Sequence, residues 1–143
     1  MEDALLRLYN QDLIRLSRET EEPRRLAHPS ATAKAVSPIC GSVVSIDINV
    51  EDGRVTDLGY EIEACALTKC TVAVMKKAAI GKTQAQIAKA GQEIEAMLAG
   101  GPPPGGDWTD LKILAPVADY KARYNAMLLP FEAIEKAFAQ IKE

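Results

Sequence analysis

The sequence predicts an α+β fold. A small three-stranded antiparallel sheet is covered on one face by helices, and a further helix precedes it at the N-terminus. Two observations carry this expectation. First, two runs of alternating apolar and polar residues flank an Asp-Gly pair, the pattern of a β-hairpin. Second, the segments that follow place apolar residues at helical spacing with no strand between them, so the alternation of a parallel βαβ sheet is absent.

Each element has its own local signal. Ala4, Leu5, Leu8, Tyr9, Leu13 and Leu16 lie on one side of an amphipathic helix that must end before Pro23. Ala31 to Ser37 alternates weakly and fits an edge strand before Pro38. Val44, Ile46, Ile48 and Val50 then alternate with Ser45, Asp47 and Asn49, as a half-buried strand requires. Asp52-Gly53 forms the turn, because both residues tolerate the positive φ of a tight hairpin. Leu58, Tyr60 and Ile62 repeat the alternation on the return strand. Leu67, Val74, Met75, Ala78 and Ala79 recur at helical spacing, with Gly81 as the stop. Thr83-Gln-Ala-Gln86 is a capping-box pattern that opens a helix with Ile87, Ala90, Ile94, Met97 and Leu98 inward. The run from Gly100 to Gly106, with three prolines, can only be a loop. Trp108, Leu111 and Leu114 suggest a short helix beyond it. A last helix is expected from about Arg123 to Ile141, with Phe131, Ile134, Phe138 and Ile141 inward. Pro130 should kink or split it.

Composition narrows the function classes. A chain of 143 residues fits one domain spanning 1–143 and long enough to bury a core of its own. The net charge of −3, with basic residues scattered along the chain, argues against nucleic acid as a partner. No apolar run approaches the ~20 residues of a membrane span, and Met-Glu-Asp-Ala does not begin a signal peptide. A cytoplasmic location is therefore expected, where thiols stay reduced. Three cysteines and a single histidine then point to thiol or sulfur-rich metal chemistry and away from a disulfide framework.

The cysteines are placed informatively. Cys40 and Cys65 stand at the two ends of the hairpin, with 24 residues between them in the chain, and an antiparallel return brings those ends together. Cys65 also opens a helix, where exposed amides and the helix dipole favour a thiolate. Cys70 follows five residues later, about 140° around a regular helix, which turns it away from Cys65. It reads as a small buried hydrophobe, with a rearranged Cys40/Cys65/Cys70 site as the alternative. His28, before Pro29, reads as a surface residue. No Ser/His/Asp constellation and no phosphate-binding loop is present.

Taken together, these residues resemble the NifU/IscU/SufU family of iron–sulfur cluster assembly scaffolds. The likeness rests on Pro38-Ile-Cys-Gly41 at the head of a strand, the hairpin, and Cys65 at the start of a small-residue helix. It extends through Tyr9, Pro23-Arg24, Gly81-Lys82 and the segment from Leu111 to Ala133, which includes Tyr120-Lys-Ala-Arg123 and Leu128-Leu-Pro-Phe131. The resemblance implies a nascent cluster, or a zinc ion in its place, held by three cysteines and a carboxylate. Cys40 and Cys65 fall on the first two cysteine positions. Ser42 falls on the carboxylate position and Ala126 on the third cysteine, with Asn125 and Arg123 on the residues before it.

Two of the four ligands are thus replaced. Zinc and iron–sulfur iron favour about four ligands, so two thiolates alone would make a weak, solvent-open site. Ser42 is a poor substitute, because a neutral hydroxyl binds such metals weakly, and it reads better as a strand-start residue. The implied function is a scaffold-like protein that holds sulfur and iron on Cys40 and Cys65, as metal and cluster ligands, for transfer to acceptor proteins. Such a protein is an assembly platform and not an enzyme. The alternative is a scaffold-derived adaptor, or a SufU-like sulfur acceptor, for a cysteine desulfurase. The implied partners are a cysteine desulfurase and iron–sulfur acceptor proteins, with no nucleic acid and no membrane. Whether a homodimer completes the coordination shell is left open by the sequence.

Overall fold

The computed structural model describes residues 11–38 and 41–141. Ala4, Leu5, Leu8 and Tyr9 of the expected first helix lie outside the described residues, as does Cys40. Within them the chain runs α1 (Gln11–Arg18), β1 (Ala31–Val36), β2 (Val43–Glu51), β3 (Arg54–Glu63), α2 (Ala66–Ala78) and α3 (Gln84–Leu98). A 3₁₀ segment, Gly106–Asp119, a short 3₁₀ turn, Lys121–Arg123, and α4 (Tyr124–Ala139) complete it.

The three strands form one antiparallel sheet in the order β1-β2-β3. The expected hairpin turn is present: Asp52 and Gly53 have φ of 53° and 75°, the two positive values that a two-residue turn of this hand demands. Pairing passes from Asn49↔Asp57 to Val50↔Val55, which leaves Thr56 as an extra residue in β3. That bulge inverts the alternation, so Val55 and Leu58 both point into the core although an odd spacing separates them. Ala31, Ala33 and Ala35 of β1 and Val44, Ile46 and Ile48 of β2 line the same inner face. All four helices and the 3₁₀ segment contribute to one core against it.

The outer face departs from the simple in–out reading. Ser45 and Asp47 were expected to face solvent, yet they are 8% and 1% exposed. The cause is the stretch after α1, which crosses this face. Arg24 pairs with Tyr60 by two backbone hydrogen bonds of 2.9 and 2.8 Å. Gly59 leaves room for the crossing: a Cβ there would stand 2.5 Å from the Arg24 carbonyl oxygen. Arg25 then donates to both oxygens of Asp47, at 2.8 and 2.9 Å, while Thr32 and the Leu26 amide donate to the same carboxylate. Burial opposes ionisation of Asp47, but these donors outweigh it and hold its pKa at about 2.

The helices follow their signals with two differences. The capping box is complete: Gln86 N–H donates to Thr83 Oγ1 and Thr83 N–H to Gln86 Oε1. Helix α2 ends at Ala78, and Gly81 turns the chain with φ 83°. The short helix expected after the Gly-Pro loop is a 14-residue 3₁₀ segment. Trp108, Leu111, Leu114 and Val117 recur every third residue and are all buried, the stripe of a three-residue turn. Helix α4 is continuous through Pro130 and is not split there. Proline has no N–H for the Ala126 carbonyl, and Thr68 Oγ1 of α2 donates to that carbonyl instead at 2.8 Å.

Candidate functional site

Cys65 stands where β3 gives way to α2. It is the N-cap of α2, with extended φ of −74° and ψ of 171°, and its own side chain caps no amide. The thiol is half-buried and opens on a cavity of about 220 Å³. Gly41 and Ser42 approach from the start of β2, Glu63 from the end of β3, and Arg123 and Ala126 from the start of α4. Local structure explains this convergence. The β2–β3 register places Val43 opposite Glu63, which brings Ser42 and Gly41 level with Ala64 and Cys65. Gly41 takes φ of 72° and donates to the Ser37 carbonyl, a tight turn between β1 and β2.

Ser42, Cys65 and Ala126 therefore border one cavity. Cys40 lies outside the described residues, and its chain neighbour Gly41 lines the cavity. Ser42 is 5% exposed and Ala126 4%, so neither position is open surface. Among the described residues no group of three His, Cys, Asp or Glu side chains could hold a metal ion. The donor set found here is one thiol, the Ser42 hydroxyl and the Glu63 carboxylate, with the Arg123 cation on the rim.

Two residues at the cavity had no signal in the sequence reading. Glu63, the last residue of β3, lies two residues before Cys65, with the chain bending at Ala64 between them. Thr68 is fully buried behind the cavity. Its hydroxyl proton goes to the Ala126 carbonyl, and its oxygen is 3.8 Å from Cys65 Sγ, where it can accept from the thiol. Thr68 thus ties the helix carrying Cys65 to the helix start carrying Ala126.

Cys70 is turned away from this cavity, as helical geometry predicts. It is fully buried and donates to the Leu13 carbonyl at 3.2 Å. Burial, with smaller contributions from Cys65 and Glu19, pushes its thiol up to about 12. His28 is exposed, as expected of a surface residue. A larger groove of about 510 Å³ lies on the outer face of the sheet beside Arg25, Lys34 and Ser45. It contains no thiol, and Arg25 is already paired with Asp47 and Glu61. The smaller cavity is the chemically equipped one. No helix among the described residues is long and apolar enough to cross a membrane.

Comparison with known proteins identifies the fold and the family. The iron-sulfur cluster assembly scaffold protein IscU of Thermotoga maritima is 24% identical over 102 residues, covering 71% of this chain and 72% of that protein. Its namesake from Streptococcus pyogenes serotype M1 is 22% identical over 102 residues, 71% of this chain and 64% of that protein. The crystal structure of a nitrogen-fixing NifU-like protein (N-terminal) from Brucella abortus has a TM-score of 0.89 and 36% identity, covering 96% of each chain. A Fervidobacterium islandicum AW-1 protein described as a scaffold for SUF iron–sulfur cluster assembly shares the fold, with a TM-score of 0.81. Its identity is 20%, over 91% of this chain and 96% of that one. Residues 9–127 match the NifU-like N terminal domain, so the chain belongs to that family.

Proposed function

We propose that this protein is a scaffold-like member of the iron–sulfur cluster assembly machinery, built as one IscU/SufU-like domain over residues 1–143. Sulfur and iron, its cargo, are held on Cys65 and Cys40 and passed on to acceptor proteins. The observation that carries the reading is the convergence of Cys65, Ser42 and Ala126 on one cavity, where the resemblance puts three of its four ligand positions. The scaffold names of the relatives support the same reading and a role without catalytic turnover.

The residues present suit a transient cargo better than a resident ion. A half-buried thiol at a helix start can attack or coordinate, and the cavity admits a small group. Ser42 and Ala126 withhold a carboxylate and a thiolate, so a closed four-ligand zinc site is not expected. An open, water-completed shell gives up its contents readily. Sulfur is supplied in this reading by a cysteine desulfurase in the cytoplasm, with no role for nucleic acid or membrane.

The same two substitutions favour a second reading, in which the protein accepts sulfur from the desulfurase, or adapts it to a partner, without building clusters. Anaerobic reconstitution with ferrous iron and sulfide separates the two. The scaffold reading expects visible sulfide-to-iron charge-transfer absorption that is lost in Cys65→Ala. A colourless, correctly folded protein would overturn it in favour of the acceptor.

A further inference from the structure

We infer that the groove of about 510 Å³ on the outer face of the sheet binds a short zwitterionic peptide, its carboxylate at Lys34 and Ser45 and its ammonium at Glu61 and Glu63. The strand register lays out the groove. Lys34 of β1, Ser45 of β2 and Glu61 of β3 stand in one row across the sheet, and Val36, Val43 and Glu63 in the next. Ala35, Val44 and Ile62, which separate the two rows, pack on the core side, so both rows face outward. Ser45 is the residue that points to a ligand. It is 8% exposed and lines the groove, yet its hydroxyl has no hydrogen-bond partner among the described residues. Buried hydroxyls are normally bonded, and the partner for this one has to come from what enters the groove.

Charge sets the direction of the ligand. Arg25 and Asp47 neutralise each other through two hydrogen bonds of 2.8 and 2.9 Å. What remains is Lys34 on the β1 side, exposed and without an ion-pair partner among the described residues. On the β3 side stand two carboxylates. Arg25 reaches one oxygen of Glu61 at 3.1 Å, and Glu63 is exposed with no ion-pair partner among the described residues. Cation and anions are two strand spacings apart, about 10 Å. An extended tripeptide separates its ammonium from its carboxylate by about the same distance, at about 3.3 Å per residue. Val43, half-buried between the charged columns, gives the middle of such a ligand an apolar floor. The volume of the groove falls in the range of small-ligand sites.

Triglycine is the probe, with triglycine amide as the form without a carboxylate and N-acetyltriglycine as the form without an ammonium. Titration into the whole, isotope-labelled chain, followed by its amide resonances, locates and measures binding, and the same spectra verify the fold of each variant. Triglycine should shift the amides of Lys34, Ser45 and Glu63 saturably. Both blocked forms should bind at least about fivefold more weakly, since each loses a charge-assisted contact. Lys34→Gln should erase the preference over the amide, and Glu63→Gln should narrow the preference over the acetyl form. Ser45→Ala should weaken triglycine, while Lys121→Gln, outside the groove, should match the parent. Equal binding of the three peptides, shifts confined to other residues, or a folded parent that triglycine does not shift would each overturn the inference. A preference for triglycine that survives intact in Lys34→Gln and Ser45→Ala would overturn it as well, because the carboxylate would then be held elsewhere.

Discussion

At the scale of single residues, the protein solves one problem with one hydroxyl. Pro130 removes the amide that would bond the Ala126 carbonyl, and Ala126 sits in a packed helix start where water cannot replace it. Thr68 fills the gap from another helix at 2.8 Å, and so fixes the wall opposite Cys65. Thr68→Val keeps the shape and removes the donor. It should cost about 1–3 kcal/mol in urea unfolding, the penalty for a buried carbonyl left unsatisfied, while Thr68→Ser should recover most of it. Cys70 makes the opposite case, a thiol with no chemistry to do. Held neutral and sealed from solvent, it should resist iodoacetamide at pH 8 in the folded protein and react only on unfolding. Cys70→Ala should lower stability by about 1 kcal/mol and leave metal content unchanged. Loss of bound metal in that variant, with the fold intact, would restore the rearranged three-sulfur site.

At the scale of elements, the parts legible in the sequence are those whose physics is local. The Asp52-Gly53 turn, the Thr83/Gln86 box and the Gly81 stop each depend on a few consecutive residues, and all three stand where the sequence puts them. Contacts between distant segments were not legible. The Thr68–Ala126 bond joins residues 58 apart, and the burial of Asp47 comes from a crossing stretch with no strand pattern of its own. Gly59 was the one available hint, since a glycine inside a strand marks close backbone approach. The 3₁₀ segment was also readable in principle, because Val117 extends the three-residue spacing of Trp108, Leu111 and Leu114. The Asp47 clamp that fastens the crossing stretch to the sheet yields a test in pH. Its folded pKa of about 2 lies below the ordinary 3.8, so its stabilisation is complete above about pH 4 and lost as pH falls through 2. The shift corresponds to about 2 kcal/mol. Asp47→Asn should be less stable than the parent by that order at pH 7, and the gap should close between pH 4 and pH 2.

At the scale of the whole molecule, the fold brings distant parts of the chain to one small cavity. Four separate pieces of chain reach the Cys65 cavity: the turn into β2, the end of β3, the start of α2 and the start of α4. The sheet register and the Thr68 bond fix those pieces relative to one another. If the scaffold reading holds, ligands placed at positions 42 and 126 need no rebuilding of that frame. Ser42 and Ala126 are small, nearly buried and border the same cavity of about 220 Å³, so an aspartate and a cysteine there would find space and point at one volume. Each would replace a bound water by a charged donor. Ser42→Asp together with Ala126→Cys should therefore raise zinc affinity by at least about a hundredfold, which is about 2.7 kcal/mol, with each single change giving less. Competition against a chromophoric chelator measures this directly. If the chelator strips the parent and the double variant with equal ease, positions 42 and 126 are not ligand positions, and the metal would have to be held by other residues around Cys65.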